Sequence, residues 1–305
     1  MSVTFDSFDV LIKDSKLLVD FFPQVSTKQI GDIKIHALRC GLLKFKSSHR
    51  DPSIGMPAIV VDPRWTEWLP VYAWVIEHPE GIAVIDTGES ALARKKQYYE
   101  SDGLVGLANR LLTKLDIVEE MEIGNQLKSI GIRPSDVRWV ILTHLHKDHT
   151  DGLKYFNKSE IIVSRQEFVN PFGAMEATFP KWFIPNLIAY IHDADPIYTD
   201  SYVLTKRGDL MIVPTPGHTS GHQSVILKTP KLDFFFAGDA TFDVNQLDDE
   251  KVAGVCTDKS EARYNIQKIK CYCEYRPTVY LPSHDTRAVE RFERETCYVP
   301  WFSEG

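Results

Sequence analysis

THLHKDH, at residues 143–149, is the stretch that decides the fold of this 305-residue chain. It follows residues 137–142, which are apolar except at Arg138 and are typical of a strand buried on both faces. Three histidines and an aspartate therefore come at the end of a buried strand, where α/β proteins place their chemistry. Packing alone does not explain this density of metal-binding side chains.

The spacing within this stretch predicts two neighbouring metal positions. Side chains alternate along an extended segment, so His144 and His146 point the same way and can bind one ion together. The chain then turns, and Asp148 and His149 face a different point. Imidazole with carboxylate suits zinc, iron, cobalt or manganese, and such a site needs further ligands from distant parts of the chain.

Further candidates follow other predicted strands. His218, Asp239 and His284 each follow one within a few residues, and Asp86 ends the second arm of an early hairpin. The predicted strands are 33–42, 71–76, 82–85, 137–142, 160–164, 211–214, 224–227, 233–237 and 278–281. Helical spacing predicts two helices within 89–130 and one helix over 261–273.

Composition and charge exclude several classes of protein. Hydrophobic residues make up 43% of the chain and charged residues 25%, as in ordinary globular proteins. The 35 basic and 42 acidic side chains give a net charge of −7, which predicts no binding to nucleic acid or to a membrane surface. Asp6 and Asp9 stand where a signal peptide would be basic and then apolar, so a cytoplasmic protein with five reduced cysteines is expected.

The chain shows no internal repeat and no low-complexity linker, which favours a single domain over 1–305. Within it, residues 1–30 are expected to form an extension packed on the core. Residues 165–200, rich in aromatic side chains and prolines, are a possible lid over a substrate pocket.

The candidate residues, in their order and spacing, resemble the metallo-β-lactamase superfamily from about residue 74 to residue 284. The resemblance rests on THLHKDH at 143–149, PGHTSGH at 216–222, GDA at 238–240 and PSHD at 282–285. It implies an α/β fold of the four-layer αβ/βα sandwich type, with the site across one edge.

The resemblance also implies a role for each residue. Two divalent metal ions are expected, with Zn²⁺ as the first choice and iron, cobalt or manganese as alternatives. Asp86 would support the metal histidines by hydrogen bonding from behind. His222, four residues after His218, is interpreted from its position as a residue that hydrogen-bonds the turn, with a metal-ligand role as the alternative. The implied metal ligands are His144, His146 and His218 for the first ion, Asp148, His149 and His284 for the second, and Asp239 as the bridge between them.

Within the superfamily the motifs look most like those of the N-acyl homoserine lactonases. Two neighbouring cations lower the pKa of a shared water, so that a bridging hydroxide can attack the lactone and Asp148 can carry a proton to the leaving group. The implied reaction opens the ring of bacterial quorum-sensing signals. A small-molecule acyl lactone is the expected partner, and a homodimer is possible.

Two positions depart from the lactonase pattern. The lactonases commonly have a tyrosine three residues after the bridging aspartate, where this chain has Phe242, and an apolar residue where it has Lys147. Aromatic and apolar side chains between residues 168 and 191 could line an acyl-chain pocket, or could be ordinary helix packing. The candidate substrate contacts are Phe242, Phe172, Met175, Phe179 and Trp182.

Two alternatives differ in class. A thioesterase of the glyoxalase II kind shares the metal set, and Arg287, Arg291 and Arg294 could hold the carboxylates of glutathione, although they also fit one helix face. A non-catalytic member of the fold would bind its ligand without turnover. The isolated histidines are interpreted as surface or satisfied structural residues: His36, His49, His78 and His192.

Overall fold

The computed structural model describes residues 24–51, 59, 61–192 and 195–299. Within these ranges the strands are β1 (Val25–Ile30), β2 (Ile33–Phe45), β3 (Leu69–His78), β4 (Gly81–Ile85), β5 (Thr113–Asp116), β6 (Val137–Ile141), β7 (Glu160–Ser164), β8 (Asn186–Ile188), β9 (Ile191–His192), β10 (Asp200–Val203), β11 (Leu210–Pro214), β12 (Gln223–Lys228), β13 (Asp233–Gly238) and β14 (Thr278–Pro282). They form two sheets. One has eight strands in the order β1-β2-β3-β4-β6-β7-β8, with β5 beside β2, and the other has six in the order β14-β13-β12-β11-β10-β9.

The helices lie between the strands in sequence, except for the last one, which follows β14. They are α1 (Ser47–Arg50), α2 (Lys96–Glu100), α3 (Gly103–Leu112), α4 (Ile123–Ser129), α5 (Lys147–Thr150), α6 (Arg165–Val169), α7 (Val244–Asp248), α8 (Lys259–Tyr275) and α9 (Ala288–Arg294). Short 3₁₀ turns cover Ala91–Arg94, Glu119–Met121, Pro134–Asp136, Leu153–Tyr155 and Glu176–Thr178. No helix in the described ranges is long and apolar enough to cross a membrane.

The main core lies between the two sheets. Alternation along the strands turns one face of each sheet towards the other, and Trp74 of β3 packs against Phe236 of β13 and Phe292 of α9 with ring centroids 5.2 and 5.3 Å apart. The opposite faces are covered by helices, since Leu127 of α4 packs on the first sheet and Ile269 of α8 on the second. Helix, sheet, sheet and helix make up the four layers, and the predicted sandwich is confirmed.

Strand directions bring the polar loops together. Strands β4 and β6 are parallel, as are β13 and β14, so within each pair the chain leaves the sheet at the same edge. The segments after these four strands begin with Asp86, Leu142, Asp239 and Ser283. The candidate residues therefore converge on one edge of the sandwich.

Three predicted segments differ in detail. Residues 89–130 contain α2, α3, α4 and two 3₁₀ turns, together with β5, which pairs with β2 through long-range backbone contacts that local periodicity does not reveal. Within residues 165–200, β8 and β9 are edge strands of the two sheets, and a lid over a substrate pocket stays a prediction. In the expected extension, residues 25–30 form β1 paired with β2, and residues 1–23 lie outside the described residues.

Candidate metal centre

Three histidines form the first cluster of donor atoms. The Nε2 atom of His144 lies 2.9 Å from Nδ1 of His146, and that Nδ1 lies 3.1 Å from Nε2 of His218. His144 and His218 are buried, while His146 is partly accessible. The three donor atoms lie within 4.8 Å of one another, a grouping that could hold one metal ion.

A second cluster lies beside the first. Oδ2 of Asp148 is 3.6 Å from Nε2 of His149 and 3.3 Å from Nε2 of His284. His149 and His284 are fully buried, and Asp148 is the partly accessible member of the cluster. These three residues also satisfy the geometry of a metal-binding group.

Asp239 stands between the two clusters. Its Oδ1 lies 3.4 Å from Nε2 of His149 and 3.3 Å from Nε2 of His284, whereas its Oδ2 lies 3.6 Å from Nε2 of His218. Each carboxylate oxygen therefore faces a different cluster. This is the arrangement that a bridging ligand requires.

Asp86 orients His149 from behind. It accepts hydrogen bonds from Nδ1 of His149 at 2.8 Å and from the backbone N–H and hydroxyl of Thr143 at 2.8 and 2.9 Å. Because Nδ1 of His149 carries the proton that is donated to Asp86, Nε2 is left unprotonated in the neutral ring and faces the cluster. Asp86 has a φ of 58°, in the left-handed region that aspartate tolerates better than most residues.

Backbone carbonyls orient two other histidines in the same way. The carbonyl of Pro70 accepts from Nδ1 of His284 at 2.9 Å, and that of Val255 accepts from Nδ1 of His218 at 3.1 Å. Both rings consequently present Nε2 to the cluster. Neither carbonyl has a side-chain signature, so the sequence offers no signal for these contacts.

The electrostatics divide the histidines into two groups. Burial and neighbouring imidazoles lower the pKa of His144 and of His218 well below the usual value, so both rings are neutral. Burial also lowers the pKa of His284, but the charge of Asp239 outweighs it and raises that pKa to about 10. The same carboxylate raises the pKa of His149, and a cation that binds here must displace these protons.

The donor atoms fit a pair of divalent cations. Nε2 of His149, Nε2 of His284 and Oδ1 of Asp239 are enclosed and have no hydrogen-bond partner within the described ranges. An enclosed polar atom without a partner costs about 1–3 kcal/mol, and coordination to a metal ion removes that cost. Nitrogen and carboxylate oxygen are donors that zinc accepts.

Removing the carboxylate of Asp86 is expected to weaken metal binding without touching a donor atom. Asp86→Ala leaves Nδ1 of His149 without its acceptor, and Asp86→Asn can present an N–H to a nitrogen that is already protonated. Losses of such partners typically cost about 10- to 100-fold in metal affinity. The measurement is zinc affinity by competition with a chromophoric chelator. Asp136→Asn, at an exposed ion pair with Arg133, is the matched control and should leave the affinity unchanged.

The side chains of His222 and Glu167 form hydrogen bonds to the loops that carry the metal donors and do not act as donors themselves. Nε2 of His222 accepts from the backbone N–H of Asp239 at 3.0 Å, and its Nδ1 is 2.9 Å from the hydroxyl of Thr215, as expected of a residue that bonds the turn. Glu167, which the sequence interpretation missed, accepts from the backbone N–H groups of Leu145 and Gly221 at 3.0 and 3.1 Å. It thereby ties the loop of His144 and His146 to the loop of His218.

Lys147 takes part in a buried ion pair. Its Nζ contacts Oε2 of Glu89, and the side chains are 3% and 1% exposed. Burial lowers the pKa of Lys147, but the charge of Glu89 outweighs it and raises that pKa, so the ammonium group stays protonated. The pair anchors the residue between His146 and Asp148. Pairing between residues so far apart in sequence has no local signal.

The candidate substrate contacts occupy different environments. Phe172 and Trp182 are 39% and 37% exposed, whereas Met175 is fully buried against Ala93 and Tyr99 and packs in the protein interior. Phe179 stacks on a neighbouring aromatic ring at 4.9 Å. Phe242 is buried, and its ring lies 6.0 Å from that of His218 and 5.7 Å from that of His284, over the metal donors.

Two of the isolated histidines have hydrogen-bond partners, as expected. His36 contacts Thr27 and Glu77 at 2.8 and 2.9 Å, and His78 contacts Asp209 at 3.2 Å. His192 lies in β9.

His49 differs from the interpretation as a satisfied histidine. It is 8% exposed, and its Nδ1 has no hydrogen-bond partner in the described part of the chain. This difference could not be predicted from the sequence, because a lone histidine gives no sign of the residues that the fold brings near it.

The two-sheet fold and the donor clusters on either side of Asp239 define a class of proteins with groups that could hold divalent metal ions at one edge of the sandwich. Residues 66–284 match the metallo-beta-lactamase superfamily, and the chain belongs to that superfamily. The predicted resemblance is therefore confirmed.

The relatives of the chain share one activity in their names. This chain is 30% identical over 221 residues to an N-acyl homoserine lactonase of Bacillus cereus, and the aligned region covers 71% of this chain and 82% of that protein. It is 26% identical over 276 residues to the N-acyl homoserine lactonase AttM of Agrobacterium fabrum, covering 86% and 97%. An N-acyl homoserine lactone hydrolase solved with the product N-hexanoyl-L-homoserine at its catalytic metal centre has the same fold, with a TM-score of 0.68, 23% identity and coverage of 91% and 98%.

Proposed function

We propose that this protein is a metal-dependent N-acyl homoserine lactonase that uses two divalent cations, with zinc as the metal. The observation that carries the proposal is the pair of donor clusters with Asp239 between them. The relatives named as lactonases, which match the chain over most of its length, supply the substrate class. Two bound cations supply Lewis-acid polarisation of an ester and a water molecule activated at neutral pH.

Asp148 is the residue proposed to move the proton. Its side chain is 14% exposed, against 4% for Asp239, so it is the more accessible of the two carboxylates. Burial opposes its ionisation, but the charges of His149 and His284 outweigh burial and lower its pKa. An ionised Oδ2 can accept a proton as water adds to the lactone carbonyl, and can pass it to the alkoxide that forms when the ring C–O bond breaks.

The surroundings of the cluster suit an uncharged acyl lactone. The rings of Phe45 and Phe242 are 5.2 Å apart, and each lies within 6 Å of the ring of His284, so hydrocarbon borders the donors. Phe172 and Trp182, half-exposed, are proposed to contact the acyl chain. Apolar walls with a few polar groups are typical of small-molecule sites.

The thioesterase alternative has less support. Arg291 donates to the carboxylate of Asp285 at 2.7 Å and is largely buried. Arg287 and Arg294 both pair with Glu290 on the exposed face of α9, at 3.2 and 2.9 Å. All three guanidinium groups therefore have carboxylate partners within their own helix region.

A single domain, a cytoplasmic location and a homodimer stay predictions.

Acid release from N-acyl homoserine lactones of short and long chain tests the proposal. Ring opening yields one carboxylic acid per turnover, so a pH-stat follows it directly. With zinc-loaded protein we expect kcat/KM for the best lactone to exceed that for S-lactoylglutathione by at least about 100-fold, because the two substrates place different groups against the same pocket.

Two outcomes would contradict the assignment. Faster turnover of the thioester would move the protein to the glyoxalase II class. Tight binding of a lactone without acid release, at full zinc content, would indicate a non-catalytic member of the fold. His218→Ala, which removes one donor, is the control for turnover by a contaminating esterase and should be inactive.

A further inference from the structure

His49 is an enclosed imidazole that shares the aromatic neighbour Phe45 with the metal donor His284. It belongs to the one-turn helix α1, is 8% exposed, and has no hydrogen-bond partner for Nδ1 in the described ranges. An unpaired buried nitrogen costs about 1–3 kcal/mol. Such a cost is removed when a ligand pairs with the atom.

The position of the ring relates it to the second donor cluster. His49 packs edge-on against Phe45 at 5.5 Å, and Phe45 packs edge-on against His284 at 5.3 Å. The ring of Phe45 therefore lies between the imidazole of His49 and that of His284, a donor of the second cluster.

Backbone hydrogen bonds connect the turn that carries His49 to the loop that contacts the metal donor His218. The carbonyl of His49 accepts from the N–H groups of Gly254 and Val255 at 2.7 and 3.2 Å, and the carbonyl of Val255 accepts from Nδ1 of His218. A Cβ atom at Gly254 would lie 1.8 Å from the carbonyl oxygen of Ser48, so only glycine permits this close approach. The turn that carries His49 and the loop that orients His218 thus form one hydrogen-bonded unit.

The imidazole of His49 packs against an apolar ring. Phe45 and Phe242, whose rings border His284, are hydrocarbon. Burial, followed by the charge of His146, lowers the pKa of His49 to about 4, so the ring is neutral at neutral pH and carries one N–H. A neutral imidazole that donates a hydrogen bond can stabilise charge developing on a carbonyl oxygen.

We propose that His49 donates a hydrogen bond to the ester carbonyl oxygen of the bound acyl lactone and is thereby a catalytic residue. This inference rests on the proposed lactonase function. It adds a polar contact from outside the metal ligands to an otherwise apolar part of the site.

The test compares three variants of His49 in zinc-loaded, full-length protein. His49→Phe keeps a ring against Phe45 but has no donor, whereas His49→Asn and His49→Gln place an amide N–H near the positions of Nδ1 and Nε2. We expect His49→Phe to lower kcat/KM for N-hexanoyl homoserine lactone by about 100-fold. It should also raise the Kd of the product N-hexanoyl-L-homoserine, measured by calorimetry, by about tenfold. One of the amide variants should recover most of both losses.

Zinc content and Tm of each variant separate a loss of the hydrogen bond from a loss of structure. His36→Gln, at a buried histidine bonded to Thr27 and Glu77, is the matched control and should keep the wild-type kcat/KM and product Kd. If His49→Phe fails to fold, His49→Met is the donor-free variant, since its flexible side chain fills the same space.

Either of two results overturns the inference. In the first, the donor-free variant retains the wild-type kcat/KM and product Kd. In the second, both amide variants are as impaired as the donor-free one. A wild-type protein that opens no lactone would instead overturn the proposed function itself, so the two failures are distinguishable.

Discussion

Asp239→Ala is expected to remove at least one of two bound zinc ions and to lower kcat/KM for an acyl lactone by at least about 1000-fold, or about 4 kcal/mol. The reason is that its two oxygens face different donor clusters, with Oδ1 near His149 and His284 and Oδ2 near His218. Without this carboxylate the remaining donors of both clusters lose their shared negative charge. The measurements are metal content by mass spectrometry and acid release under saturating zinc.

The matched control for Asp239→Ala is Asp249→Ala, which removes an exposed carboxylate paired with Lys251. It should keep two metal ions and the wild-type rate. If Asp239→Ala retained both ions and full activity, the bridging assignment would be wrong. Comparing Tm values of the metal-free proteins shows whether the variant is folded.

Glu89→Leu is expected to destabilise the protein by about 3–5 kcal/mol, because it leaves the ammonium group of Lys147 buried without its main counter-charge. The nearby carboxylate of Asp151 is already engaged by the backbone N–H of Ser90 and the hydroxyl of Tyr98. The measurement is the free energy of unfolding in denaturant, made on metal-free protein so that changes in metal binding do not contribute.

The double variant with Glu89→Leu and Lys147→Leu tests the same explanation from the other side. Replacing both charges with apolar groups is expected to recover most of the loss, because a buried ion pair contributes little net stability. Glu100→Leu, at an exposed pair with Lys96, is the control and should change the free energy by at most about 0.5 kcal/mol. A double variant no more stable than Glu89→Leu would contradict the argument.

Much of the fold could be predicted from local patterns. The buried strands have continuous apolar runs, and the observed bounds of β6 and β7 agree with the predicted ones to within one residue. Segments held by long-range pairing could not be predicted in this way. β5 is short and pairs with β2, which lies far back in the sequence. β8 and β9 are also short, but they pair with β7 and β10, their neighbours in chain order, so their shortness left little periodic pattern to recognise.

The residues of the candidate site also differ in whether they could be predicted from the sequence. Histidines and carboxylates at the ends of strands can be recognised because strand direction brings those ends to one edge of a sheet. The contacts of Glu167, the carbonyl of Val255 and the exposure of His49 depend on loops that meet only after folding. No spacing in the sequence specifies such meetings.

The sequence by itself determined the buried strands and the set of residues that could bind metal, because strand periodicity and donor spacing are local properties of the chain. The superfamily and its four-layer sandwich followed from the resemblance of the motifs to known ones. Only the tertiary structure decided which oxygen of Asp239 faces which cluster and that Met175 packs in the interior. It also decided that His49 shares the neighbour Phe45 with His284 and has no partner for Nδ1 among the described residues. Those outcomes depend on which distant segments pack together, and packing is a property of the whole fold.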